Sequence, residues 1–261
     1  MGFSFASVIL SYFLVGGGMF SAMLVAGIVK LESPIPVYLL MGAGAFVGGF
    51  FAARASRSST ITESAIGAVG VVGTVVALAA LTNIGKLLWG VAPGETMKFV
   101  GIVGAASTGG AIGGAFLSEK LLGESTTSSV PWILYAALAT FGACVLATVF
   151  ATVLIAGGTS LSEGSTESVG KMLLIGIGAG CLLAGLAVGA SARARPLLAS
   201  LLGATVGTAA FAYLISNAVA GGRAGGDELS AIAVFGAGGG IVTMLGTALG
   251  WFVFGKKGAA A

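Results

Sequence analysis

The side chains able to do chemistry in this sequence are mostly hydroxyls and thiols set inside apolar runs. The hydroxyls are Ser107, Thr108, Thr140, Thr148, Thr152, Thr205, Thr208, Thr243 and Thr247. In such surroundings a hydroxyl bonds the carbonyl four residues back or bridges to a neighbouring helix. One group offers more. Ser107, Thr108, Gly109 and Gly110, with Thr243 and Gly246 matching them further along, could line a path for a small neutral solute. The two cysteines, Cys144 and Cys181, sit mid-segment with no charged neighbour in sequence to activate them. They read as small hydrophobes used in packing and not as a redox pair. No histidine is present, which removes the commonest general base and metal ligand together. No nucleophile–base pair and no metal-ligand spacing is found, so neither catalysis nor a cofactor is expected.

Other chemical readings fail on context. The runs Gly236-Ala237-Gly238-Gly239-Gly240 and Gly109-Gly110-Ala111-Ile112-Gly113-Gly114 follow no strand and lack the Gly-Lys-Ser/Thr ending of a phosphate-binding loop. A charge at bilayer mid-depth would mark a transport or proton site. Lys86 comes nearest, but it lies close enough to a segment end to snorkel outward. This lack of a buried charge argues against a proton pump or a carboxylate-coupled antiporter.

These residues need elements to hold them, and composition says what kind. The chain has 261 residues, 57% hydrophobic and 8% charged, with a mean hydropathy of +1.08. Soluble domains carry about 25% charged residues, so this surface must largely face lipid. Crossing the hydrocarbon takes about 20 apolar residues as helix. Charged and turn residues divide the sequence into eight such stretches: Phe5–Val29, Val37–Ala53, Ile66–Leu88, Phe99–Leu117, Val130–Ala156, Met172–Ala190, Leu197–Val219 and Leu229–Phe254. Pro34 and Pro36 suit a helix start, and Thr60-Ile61-Thr62-Glu63 has capping-box spacing. A β-barrel would alternate apolar and polar residues. Val69–Leu81 and Leu146–Ile155 are apolar on both parities, which excludes it. The expected fold is an all-α integral membrane protein with eight transmembrane helices.

The net charge of +3 comes from scattered cations with no basic, aromatic-interleaved patch, so nucleic acid is not an expected partner. With eight spans, Arg54, Arg57, Lys120, Arg193, Arg195, Lys256 and Lys257 share the side of both termini. The acidic loops around Glu163, Glu167, Asp227 and Glu228 fall on the other side. Both termini are therefore expected in the cytoplasm, with Arg54, Arg57, Arg193, Arg195, Lys256 and Lys257 at the lipid-headgroup interface.

A shift of 136 residues lays the sequence on itself. Gly42-Ala43-Gly44 falls on Gly178-Ala179-Gly180, Arg57 on Arg193, Gly67-Ala68 on Gly203-Ala204, Phe116 on Phe252 and Lys120 on Lys256. The first and fifth helices align only after a gap. The expected organisation is two tandem four-helix repeats, 1–125 and 126–261, in parallel orientation because four spans return the chain to the side it left. Small residues recur at four-residue spacing on several helices, including Gly44/Gly48, Gly109/Gly113, Gly176/Gly180, Gly236/Gly240 and Gly246/Gly250. Such stripes let helix backbones approach closely. Gly44, Gly48, Gly113, Gly180, Gly240 and Gly250 are expected at helix contacts.

The segment Gly48-Gly49-Phe50-Phe51-Ala52-Ala53-Arg54, followed by Gly67, resembles the Gly-Gly-x-x-Ala-Ala-Arg helical hairpin of certain uncharacterised small multi-pass bacterial membrane proteins. The likeness covers about 35 residues. It implies a bacterial inner membrane and no activity, and the second half departs from it with Ala190 where Arg54 stands. The expected function is a scaffold or subunit of a membrane complex, partnered by lipids and by other proteins or further copies of itself. The alternative is a channel or facilitator for a small neutral solute, with its path at the repeat interface.

Overall fold

The computed structural model describes residues 5–31, 33–55, 61–81, 93–122, 129–158, 165–192, 196–220 and 226–255. They form eight α-helices: α1 (Phe5–Ile28), α2 (Pro34–Ala55), α3 (Ile61–Leu81), α4 (Pro93–Leu122), α5 (Ser129–Gly158), α6 (Ser165–Ser191), α7 (Leu197–Ala220) and α8 (Gly226–Gly250). Trp251–Gly255 extends α8 as a π-helical turn. No strand occurs among the described residues. In hydrocarbon a helix satisfies its own backbone polar groups, so even glycine-rich runs keep this conformation. Proline opens α2 and α4, where a missing amide proton costs nothing.

The C-terminus of α1 is built against propensity. Leu31 N–H donates to Ala26 C=O at 3.1 Å and Lys30 N–H to Gly27 C=O at 3.1 Å, the double closure of a Schellman motif. That motif needs a left-handed residue, and Lys30 occupies it at φ 55°. A non-glycine side chain there costs about 1–2 kcal/mol. Lys30→Gly is therefore expected to raise thermal stability in detergent by the equivalent of about 1 kcal/mol. A lowered melting temperature would show that the lysine head group, not the turn, sets stability at this end.

Among the described residues seven helices are long and apolar enough to cross a bilayer; α3 contributes a shorter apolar stretch, Ile61–Ala77. Of the eight spans expected from sequence, the described residues hold seven of full length. The expected third span ran to Leu88, and residues 82–92 with Lys86 lie outside the described residues. So do Arg57, Arg193, Arg195, Lys256 and Lys257, which leaves Arg54, in the last turn of α2, as the described member of the interfacial set.

The helices pack in two groups of the same order. In the first, α1 contacts α2 and α3, and α4 closes the group against both. In the second, α5 contacts α6 and α7, and α8 closes the group against both. The groups meet chiefly through α1 against α5, with α6 also touching α1. Much of the interior is small, with Ala45, Ala68, Ala111, Ala136, Ala139, Ala184, Ala187 and Ala204 fully buried beside large side chains such as Leu10, Met19 and Leu146. The outside carries large ones, such as Leu39, Ile175, Leu198 and Val234. Large apolar residues thus occupy the outside as well as the core, unlike the soluble pattern. The apolar exterior is solvated by lipid, and small residues inside allow the backbone proximity on which membrane helix packing depends.

Candidate functional site

Glycine positions show where backbones touch. A Cβ on Gly110 or Gly114 of α4 would collide with the Gly42 or Phe46 carbonyl of α2. One on Gly246 or Gly250 of α8 would collide with the Leu182 or Leu186 carbonyl of α6. Gly44 meets Gly18, and Gly48 lies 2.6 Å, from its would-be Cβ, to Val15 Cα. Gly180 packs on Ala143, and Gly240 on Thr205 and Leu201. Gly113 is looser, with only the Phe46 ring beside it at 3.5 Å.

The residues suggested as a path lining are distributed over two helix pairs. Ser107 is buried and Gly110 packs on α2, whereas Thr243 is buried and Gly246 packs on α6. Thr108 is half-buried and Gly109 is exposed with nothing within 4 Å of its Cβ position. The packing that joins the two halves is instead α1 on α5, where Gly17 and Gly142 cross backbone to backbone. The structure therefore does not gather these six residues around one opening.

Buried polar side chains instead stand at separate helix contacts inside the α5–α8 group. Thr140 of α5 bonds the Ala136 carbonyl and faces Gly207 of α7. Thr208 of α7 donates to its own Ala204 carbonyl at 2.7 Å and lies 3.0 Å from the Gly236 carbonyl of α8. Thr243 and Thr247 of α8 are both fully buried, with their carbonyls against Gly185 and Gly189 of α6. Cys181 of α6 has its Sγ 3.8 Å from Cys144 Sγ of α5, and both thiols are fully buried. A polar side chain thus stands at each contact around the group. In the first group polar side chains stand at the α1–α3 contact, where Ser11 meets Gly67 and Tyr12 bonds Thr74, while Gly18 meets Gly44, Gly49 meets Ala111 and Gly104 lies near Val72.

In the sequence alone the cysteines and threonines read as separate packing residues. Cys144 and Cys181 are 37 positions apart on different helices, and only the register of α5 on α6 pairs them. The hydroxyls differ in one respect. Thr74, Thr148, Thr205 and Thr247, like Thr140 and Thr208, each donate to the carbonyl four residues back. Thr243 does not: its Oγ1 stands beside the Cys181 thiol but makes no bond of ordinary hydrogen-bond geometry. Thr243→Val keeps shape and removes an unsatisfied group, so it should leave the melting temperature unchanged or raised. Thr208→Val removes a bridge to α8 and should cost about 1 kcal/mol. Equal losses in the two variants would mean that both hydroxyls are satisfied.

A second polar cluster lies at the end of the bundle holding the α2 C-terminus. Arg54 donates to the Tyr135 hydroxyl of α5, and Tyr135 packs edge-on against Trp132 with ring centroids 5.4 Å apart. Glu63, in the first turn of α3, is 2% exposed. Glu119 of α4 accepts the Ile61 backbone N–H, while its Oε1 is buried without a partner. Glu63 thus stands at a helix end and not in mid-helix. No group of three or more His, Cys, Asp or Glu side chains suited to a metal occurs among them. No protein-family model matches the chain, nor does any curated protein or solved structure compared with it.

Proposed function

We propose that the chain is a non-catalytic multi-pass protein of a bacterial inner membrane, acting as a packing subunit of a membrane complex. The observation that carries this reading is the outer face of α4. Gly101, Ala105 and Gly109 recur there at four-residue spacing, all exposed, with nothing within 4 Å of the Cβ positions at Gly101 and Gly109. The opposite face of the same helix, Gly110 and Gly114, is already packed into α2. A smooth helix face of this kind is suited to a further transmembrane helix. Gly109→Leu should leave the chain folded and reduce recovery of a stoichiometric partner, or of a second copy, from gently solubilised membranes. Unchanged partner recovery, or a wild-type chain purifying alone, would remove the support.

The reading includes eight crossings, both termini cytoplasmic, and two parallel repeats. The shared packing order of the two groups supports the repeat, as do matched contacts. Gly44 and its counterpart Gly180 pack on α1 and α5, as do Gly67 and Gly203. The last helices fit with a slip. Gly114 meets the Phe46 carbonyl, but the Leu182 carbonyl, at the position matching Phe46, is met by Gly246 and not by Gly250. Relative to the 136-residue shift, α8 sits one turn out of step on α6. Reporter fusions at both termini test the parity: opposite sides would reduce the crossings to an odd number.

A second reading, a facilitator for a small neutral solute, draws its support from the buried thiols and hydroxyls of α5–α8. The tight Gly17–Gly142 crossing favours a path inside that group over one between the halves. Solute flux into vesicles containing only this chain tests it.

A further inference from the structure

We propose that Cys144, Cys181 and Thr243 form a binding site for a soft monovalent metal ion, and that Cu(I) is the ion it takes. The two sulfurs are 3.8 Å apart on facing helices. Metal–thiolate bonds are about 2.3 Å long, so one ion can reach both sulfurs in a bent arrangement that leaves a third position open. The Thr243 hydroxyl stands beside Cys181 from the third helix. It is fully buried and, unlike the bonded threonines of the bundle, it makes no hydrogen bond to its own helix, so the Cys181 thiol is its neighbour. Three helices thus bring two sulfurs and one hydroxyl oxygen to one point in the interior.

The donor set selects the ion. Sulfur ligands favour Cu(I) and zinc over magnesium, calcium and manganese, which take oxygen. Zinc sites of structural type need four ligands, commonly including histidine, and this chain has none. Charge balance points the same way. A univalent ion binding one thiolate and one thiol gives a neutral complex, with a single proton released to water; a net charge at this depth would be costly. Binding is written Cys–SH + HS–Cys + Cu⁺ → Cu(S–Cys)(HS–Cys) + H⁺, with no electron transferred.

The test uses the full chain, reduced and anaerobic, in lipid nanodiscs, titrated with Cu(I) against a colorimetric Cu(I) chelator. One ion per chain is expected to bind, with at least about 100-fold weaker binding in Cys144→Ala and Cys181→Ala and a smaller loss in Thr243→Val. Copper X-ray absorption on the wild-type protein provides a reading independent of variant folding, and should show two sulfur neighbours. No binding by the wild-type chain, or equal binding by the cysteine variants, overturns the proposal, as does a copper environment without sulfur.

Discussion

Replacing Gly17 by leucine is expected to abolish recovery of folded, monodisperse protein in detergent. Gly17 of α1 crosses Gly142 of α5 at the contact between the two helix groups, and a Cβ on Gly17 would overlap the Gly142 Cα. Carbon atoms pack at about 3.5–4.0 Å, so even alanine forces the helices apart by more than about 1 Å. Phe13, Leu14, Val15 and Leu146, buried around this crossing, would lose their contacts together. Nothing on either side can yield, because the obstructing atoms are backbone. In lipid no hydrophobic drive compensates, and packing itself holds the helices together. The expected loss is at least about 3 kcal/mol for leucine, with alanine intermediate. Gly142→Leu should behave in the same way, since its own Cβ would meet the Phe13 carbonyl. Gly73→Leu, on an exposed face of α3 with nothing within 4 Å, is the control and should melt like wild type. Gel filtration and thermal melting read all of these. A Gly17→Leu chain that elutes and melts normally would mean that α1 and α5 do not cross here.

The helices were legible because bilayer thickness sets a length that composition alone satisfies. Glycine stripes were legible as contact faces, but not which face met which helix. Gly109 and Gly110 are neighbours in sequence, yet one is open and the other lies under the Gly42 carbonyl. Rotation of α4 about its axis separates them, and apolar residues on every side leave that rotation unmarked. The same uniformity hid the one-turn slip of α8. A helix face repeats nearly every four residues, so small residues match almost as well one turn out of register. Cys144, Cys181 and Thr243 were visible singly, and their proximity required the register of three helices at once. Arg54 was expected at an interface; that it donates to Tyr135 was not encoded in any local pattern.

Removing Glu63 and Glu119 together is expected to cost about 2–4 kcal/mol and to loosen the start of α3 before the rest of the bundle. The first amides of a helix have no partner within it. Here the Ile61 N–H is taken by Glu119, contributed by the last turns of α4. Glu63 occupies the third helical position, where a carboxylate suits both a capping box and the positive end of the helix dipole. It is 2% exposed, and the adjoining Ser64 carbonyl lies 3.5 Å from the Ser11 Oγ of α1. Glu119→Ala alone frees one amide and should cost about 1 kcal/mol. Glu63→Ala also leaves a cavity among α1, α3 and their neighbours, so it should cost more. Because both act on one helix end, their effects should not add. Hydrogen exchange at the Ile61–Ser64 amides separates this from a general loss of packing. Exchange there should accelerate in Glu119→Ala while the amides around Cys144 stay protected. Uniform acceleration along the chain, or none at Ile61, would show that α3 is anchored by its apolar face and not by the carboxylates at its start.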